Sequence, residues 1–279
     1  VELTLRENSI SDISALSGMV NLTYLHLYNN EISIISPLSE MNHLNYLNLF
    51  HNFVSNIEIL EDLSNLTYLH LSTNQISSIE SLHSLTKLTF LDIRSNNITA
   101  IESISGLIAL QSLYLSYNDI SDLSPLLKIR DLEILQLQNN SIVDISALNL
   151  MTKLKYLHLG NNQVESISSL CNMNEMEKLY LYNNNITDVS PLSNMKNLLV
   201  LYLYNNMISD ISNIFILLIN LKNLHLGENQ ITSVQSLSQN INLTNLYLDD
   251  NPLSTTMSSS LTTLSSLPSL TTLTLDSVG

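Results

Sequence analysis

The chain has no tryptophan, one cysteine, and only five glycines and five prolines among 279 residues. The single thiol, Cys171, excludes an intrachain disulfide framework and a cysteine-based zinc site. With so few turn-formers, the turns must be made by other residues in a regular architecture. Cations are scarce too: 10 Lys and Arg stand against 25 Asp and Glu, for a formal charge of −15. A phosphate-binding face needs clustered cations, so this balance argues against nucleic acid, and equally against adsorption to anionic membranes. No apolar run approaches the roughly 18 residues of a membrane-spanning helix. Nor is there a Gly-rich phosphate loop, a nucleophile set beside a base, or a carboxylate pair. The expectation is a protein without catalysis, cofactor or metal.

What is present is periodic. Asparagine recurs every 22 residues at Asn8, Asn30, Asn52, Asn74, Asn96, Asn118, Asn140, Asn162, Asn184 and Asn206, then, after a one-residue insertion near Leu218–Leu221, at Asn229 and Asn251. With each asparagine as zero, leucine or an equivalent falls at −8, −5 and −3, and apolar residues follow at +2, +5, +8, +11 and +14, as Leu22, Leu25, Leu27, Ile32, Ile35, Leu38, Met41 and Leu44 do around Asn30. In Leu-x-Leu both leucines point to one face of a short strand and the middle residue to the other. One unit cannot bury its stripe alone, so units stack around a continuous core. The asparagines form a ladder, each amide bonding its own turn and the backbone of the next coil. Between strands the chain is too short and interrupted for full helices, and extended turns with single 3₁₀ or α turns are expected. The methionines at +11 (Met19, Met41, Met151, Met173 and Met195) read as core filling.

The pattern LxxLxLxxNxI resembles the leucine-rich repeat over essentially the whole chain. That implies an α/β solenoid: a right-handed horseshoe or arc, with a parallel β-sheet on the concave face and short turns or 3₁₀ segments on the convex face. Residues 1–279 are expected to form one such domain of about 12–13 repeats. Residues 252–279 make an atypical, longer, partly helical last unit. "ISDLSPL" (Ile120–Leu126) and "ITDVSPL" (Ile186–Leu192) are similar to internalin-type repeats, which implies a cell-surface adhesin. "ISSIESL" (Ile76–Leu82) is similar to repeats of the phosphatase-1 regulatory subunit, which implies an intracellular scaffold. Cytoplasmic and cell-surface locations both stay open. The chain begins inside its pattern at "VELTLRENSI" and carries no recognisable cap, so native sequence is expected beyond Val1 and Gly279.

The strand residues facing away from the leucines sit at −6, −4 and −2, with −1 at the rim, and this is the usual binding face of a solenoid. All 12 tyrosines fall there. Tyr24, Tyr46, Tyr68 and Tyr156 are at −6; Tyr114, Tyr180, Tyr202 and Tyr247 at −4; Tyr28, Tyr182 and Tyr204 at −2; Tyr117 at −1. Phe50 and Phe90 join them, with His26, His70, His158 and His225. Cross-strand stacking accounts for such positions without a partner. Against that, the rings are expected to be largely exposed unless something covers them, and tyrosine is enriched at recognition surfaces. The reading is therefore a protein-binding scaffold using this Tyr/His face, with glycan binding, self-association and phosphatase regulation as alternatives.

Other signals are bland. His26 and His70 lie two strands apart, about 10 Å, too far to share a zinc ion. Asp12, Asp122, Asp144, Asp188 and Asp210, at +4, read as turn caps. The N-x-S/T triplets at Asn21, Asn65, Asn97, Asn139, Asn185 and Asn242 follow partly from the repeat itself.

Overall fold

A computed structural model of the chain describes residues 1–253 and 256–278. The chain divides into two compact units, Val1–Asn140 and Ser141–Gly279. The first holds strands β1 (Glu2–Thr4), β2 (Tyr24–His26), β3 (Tyr46–Asn48), β4 (Tyr68–His70), β5 (Phe90–Asp92), β6 (Ser112–Tyr114) and β7 (Ile134–Gln136). Each pairs in parallel with the next in chain order. The second holds β8 (Tyr156–His158), β9 (Lys178–Tyr180), β10 (Val200–Tyr202), β11 (Asn223–His225), β12 (Asn245–Tyr247) and β13 (Thr272–Thr274), ordered likewise. The register sets −5 against −5, so Leu25 faces Leu47 and Leu201 faces Leu224. Columns of the sequence are thus rows of the sheet, and the fold is the expected leucine-rich-repeat solenoid.

The return path from each strand follows from a three-residue apolar period. Ile35, Leu38, Met41 and Leu44 are all buried, and Leu38, Met41 and Leu44 each donate a backbone N–H to the carbonyl three residues before, at 3.0 Å. A 3₁₀ turn has three residues per turn, so this spacing keeps one apolar edge inward while making i→i+3 bonds. Short 3₁₀ segments accordingly follow the +5 residue, as at Ser36–Leu38 and Glu80–Ser84. Of the +11 methionines, Met41, Met151, Met173 and Met195 are buried as expected, and Met19 is exposed.

The asparagine ladder is observed. Asn52 Nδ2 donates to the carbonyls of Leu49 (3.1 Å), Phe50 (3.3 Å) and Leu27 in the preceding coil (3.0 Å), and its Oδ1 accepts the Ile32 N–H at 3.0 Å. One side chain thus bonds four backbone groups, supplying the acceptor for the Ile32 N–H and a second donor to carbonyls that also accept from Asn29 N–H, Asn74 or Asn30. Asn8, in the first coil, bonds only its own turn, to Leu5 and Arg6.

The residue before each ladder asparagine carries a second constraint that the repeat pattern did not reveal. Every one adopts the left-handed conformation, from Glu7 (φ 55°) through Asn29, Thr73, Tyr117 and Asn205 to Asp250 (φ 54°). None is glycine, and five are asparagine, the residue that best tolerates this region after glycine. Where these asparagines are consecutive they form an outer ladder: Asn183 Nδ2 donates to Asn161 Oδ1, and Asn205 Nδ2 to Asn183 Oδ1 at 2.9 Å. Asn205, in the rim column, belongs to this second ladder. Thr73 is the outlier, a β-branched residue at φ 55°. Thr73→Asn should raise stability by about 1 kcal/mol, seen as a higher urea midpoint with an unchanged slope.

At the outer turns the +4 aspartates cap as expected. The Oδ1 of Asp12, Asp122, Asp144, Asp188 and Asp210 accepts the backbone N–H two residues on, each at 2.8 Å. The one-residue insertion lengthens the coil between β10 and β11, and Asn240 compensates. It takes a core column otherwise filled by Met, Leu or Ile, is fully buried, and donates to the carbonyls of Phe215 (3.0 Å) and Leu218 (2.8 Å). The atypical last unit carries the single α-helix of the described residues, α1 (Met257–Ser265). Among the described residues no helix is long and apolar enough to cross a membrane.

Candidate functional site

The face of each sheet away from the leucines carries every residue expected to bind. Its rings are not largely exposed. All the strand-face tyrosines are half-buried because they cover one another, and only Tyr117, at the rim, is exposed.

In the first unit the −6 row is a stack. Tyr24, Tyr46, Tyr68 and Phe90 lie ring on ring, with centroids 4.0, 4.3 and 4.1 Å apart and planes within 13°. Strand spacing sets this distance, since residues in register on parallel strands are nearly one ring thickness apart. Ring faces are therefore used internally, and edges and hydroxyls face solvent. Burial, with a hydrogen bond donated to Tyr46, pushes the Tyr24 phenol up to about 12. Beside the stack, His26 contacts Tyr24 OH (3.3 Å) and Asn48 Nδ2 (3.1 Å), and burial lowers its pKa. Phe50 stacks on His70 at 5.2 Å and lies against Tyr28 at 6.3 Å.

The same unit holds an ion pair between a buried carboxylate and a half-buried guanidinium. Asp92 is 1% exposed. Arg94 donates to it through Nη2 (2.6 Å) and Nε (3.0 Å), and His70 Nε2 lies 3.2 Å away. Burial works to raise the Asp92 carboxyl, but the hydrogen bonds from His70 and Arg94 outweigh it and hold the pKa below its usual value. The Arg94 guanidinium lies 5.0 Å over the Tyr114 ring and donates to Gln136 Oε1 at 3.3 Å. A second arginine, Arg6, sits 6.0 Å over Tyr28, whose hydroxyl donates to Glu7.

The second unit is organised around two consecutive LYLYN strands, Leu179–Asn183 and Leu201–Asn205, between two LHLG strands, Leu157–Gly160 and Leu224–Gly227. Tyr182 and Tyr204 stack at 4.6 Å with planes 6° apart. Tyr180 meets Tyr202 edge to face at 5.2 Å. The histidines close the group: His158 stacks on Tyr180 at 4.9 Å, and His225 lies 4.5 Å from Tyr204 and 4.9 Å from Tyr247. Tyr156 joins at 5.5 Å from Tyr180. In both LHLG strands the glycine N–H donates to the histidine Nδ1 at 3.3 Å, which places the remaining proton on Nε2. Burial lowers both imidazoles, His158 to about 4, so they are neutral near pH 7.

Sequence reasoning passed over these two glycines. Neither is left-handed, so neither is needed for its φ. Gly160 is needed for room: a Cβ there would come within 2.6 Å of the Tyr182 ring, which lies over it. The signal was available as LHLG recurring at the same columns on either side of the tyrosines.

The family model for leucine-rich repeats (2 copies) matches residues 1–40, 42–84, 86–128, 130–172 and 175–215, and a single-repeat model matches 242–264. The chain belongs to the leucine-rich-repeat family. Its repeats are internalin-like. It is similar to the internalin InlF of Listeria monocytogenes (33% identity, 99% of this chain and 80% of that one, TM-score 0.92). It also matches internalin C2 of the same organism (36% identity, 67% and 83%, TM-score 0.65). A third match is the leucine-rich-repeat ectodomain of the Arabidopsis receptor kinase HAESA, solved with a peptide hormone ligand (26% identity, 85% and 44%, TM-score 0.75). A search of curated proteins gave no match. The leucine-rich-repeat fold is typical of protein–protein interaction domains, and its members are generally non-enzymatic binding scaffolds.

Proposed function

We propose that this leucine-rich-repeat chain is a protein-recognition scaffold whose principal contact surface is the tyrosine tetrad of the second unit, Tyr180, Tyr182, Tyr202 and Tyr204. The observation that carries the reading is the paired arrangement of LYLYN strands between LHLG strands. A sheet needs only some aromatic at these columns. Four tyrosines on two adjacent strands, flanked by glycines that make room and by neutral histidines of fixed tautomer, form a rigid amphipathic patch. Such a patch costs little side-chain entropy on binding. The peptide-bound HAESA ectodomain supports the same use of the fold. In the first unit the stacked ring faces are occupied by one another, which favours recognition by ring edges and hydroxyls over the face-on packing that glycan rings require.

The test is affinity capture with the wild-type chain and with a variant carrying Tyr→Ala at Tyr180, Tyr182, Tyr202 and Tyr204. Loss of the captured protein, with a preserved cooperative unfolding transition, is the expected result. Undiminished capture by a folded variant would place binding elsewhere.

A further inference from the structure

Away from the tyrosine face, the return path of the second unit changes character at the coil between β10 and β11. Its core residues Phe215, Leu218 and Leu221 are fully buried, but Ile216, Leu217 and Ile219 between them are 43–52% exposed. Ile241 of the next coil is 53% exposed beside them. The backbone bonds give the register. Leu218 N–H donates to the Phe215 carbonyl and Leu221 N–H to that of Leu218, as Met195 and Leu198 do to Leu192 and Met195 one coil earlier. Ile216, Leu217 and Ile219 therefore stand where the preceding coil has Ser193, Asn194 and Lys196. Asn220 Nδ2 donates to the Lys196 carbonyl (2.8 Å) and Asn242 Nδ2 to the Ile219 carbonyl (3.0 Å), which sets Lys196, Ile219 and Ile241 in one exposed row. The backbone beneath is pinned as well. Asn240 Nδ2 bonds the carbonyls of Phe215 and Leu218, the residues on either side of Ile216 and Leu217. These side chains are thus held outward by a fixed backbone. Single exposed apolar residues are ordinary, whereas adjoining ones rimmed by polar groups mark an interaction site.

Charge says what would cover them. The chain carries −15 overall, yet residues 193–199, 216–222 and 238–244 of these three coils contain no carboxylate. Their only charged residues are Lys196 and Lys222, both exposed. We propose that this patch is a second docking surface, and that it receives a protein segment bearing apolar side chains next to a carboxylate. The apolar side chains cover Ile216, Leu217, Ile219 and Ile241, and the carboxylate pairs with Lys196 or Lys222. Two lysines are too few to hold so acidic a chain on an anionic bilayer, and the net charge sets one copy of the chain against another. The surface lies outside the tyrosine tetrad and does not rest on it.

The experiment is a random-peptide display selection on the full chain, counter-selected on the variant Ile216→Ser, Leu217→Asn, Ile219→Lys. Those three residues are the ones the preceding coil carries at the same columns, and thermal unfolding checks that the variant is folded. Peptides retained by the wild type alone should combine apolar residues with Asp or Glu. In calorimetric titration the triple variant should bind a selected synthetic peptide about tenfold or more weakly. Lys196→Glu with Lys222→Glu, which leaves the apolar side chains in place, should weaken it severalfold, and the tyrosine-tetrad variant should bind it as the wild type does. Failure to find any peptide that distinguishes the wild type from the triple variant overturns the docking surface. Peptides without acidic residues, bound equally by the double lysine variant, overturn the stated partner chemistry. Self-association of the wild type in sedimentation, or flotation with phosphatidylglycerol vesicles, that is lost in the triple variant assigns the patch to a second copy or to a membrane and overturns the proposal.

Discussion

Asn118→Ala is expected to cost about 3–5 kcal/mol, roughly as much as deleting a large core side chain. Asn118 is 8% exposed and serves four backbone groups. Its Oδ1 accepts the Ile98 N–H at 3.0 Å, and its Nδ2 donates to the carbonyls of Leu115 (3.0 Å), Ile93 (3.1 Å) and Ser116 (3.3 Å). Alanine takes the acceptor from the Ile98 N–H and one of two partners from each carbonyl: Leu115 keeps Asn140 Nδ2, Ile93 keeps Asn96 Nδ2 and Ser116 keeps the Ser95 N–H. About 1–3 kcal/mol for the unpaired N–H, with about 0.5–1.5 kcal/mol for each carbonyl bond lost, reaches a loss of this size. Asn118→Asp should be no better at pH 7, because it sets a carboxylate against three carbonyl oxygens. Asn97→Ala, an exposed position beside the previous rung, is the control, expected within about 0.5 kcal/mol of wild type. The measurement is the urea unfolding midpoint and slope of each variant. A loss below about 1 kcal/mol for Asn118→Ala would mean that the ladder adds little beyond the apolar columns.

The second large effect is expected at the buried ion pair. Arg94→Met keeps the packing of the stem but leaves the Asp92 carboxylate, 1% exposed, without its guanidinium, with His70 and the backbone N–H of residue 94 beside it. Breaking a buried pair from one side costs about 3–5 kcal/mol, since the remaining charge keeps its desolvation penalty. The pH dependence should also change. In the wild type the Asp92 pKa is lowered, so its stabilisation is complete above the unfolded value of 3.8 and is lost as pH falls through the lower folded value. In Arg94→Met the guanidinium no longer offsets burial, so the folded pKa moves up from its wild-type position and the deficit relative to wild type should shrink as pH falls. The double variant Asp92→Asn with Arg94→Met should recover much of the loss at pH 7. Equal stability of the single and double variants from pH 4 to 8 would show that Asp92 carries no buried charge.

The parts of the molecule legible in the sequence are those set by one-dimensional spacing. The asparagine period fixed the coil length, Leu-x-Leu fixed which side chains enter the core, and the columns placed every tyrosine on one face, because parallel in-register stacking turns columns into rows. What spacing does not carry is cross-strand geometry. Exposure of the rings was misjudged because one strand says nothing about a neighbouring ring 4 Å away. The left-handed residue before each ladder asparagine was hidden by its variety: Glu, Asn, His, Thr, Ser, Tyr and Asp all occupy it, and only the backbone reveals their common φ. Asp92 and Arg94 are two residues apart in the sequence, but the guanidinium is also held by a residue as far along the chain as Gln136. Gly160 passed as an ordinary glycine because what it does is defined by the Tyr182 ring that lies over it.

The proposed function places the partner on the tyrosine face of the second unit, and site-specific photo-crosslinking tests that placement most directly. A benzoylphenylalanine replacing Tyr202 and, separately, one replacing the exposed outer-turn residue Ser166 would be irradiated in the presence of the captured partner. The account predicts a covalent adduct from position 202 and none from 166. An adduct from 166 with none from 202 would contradict it.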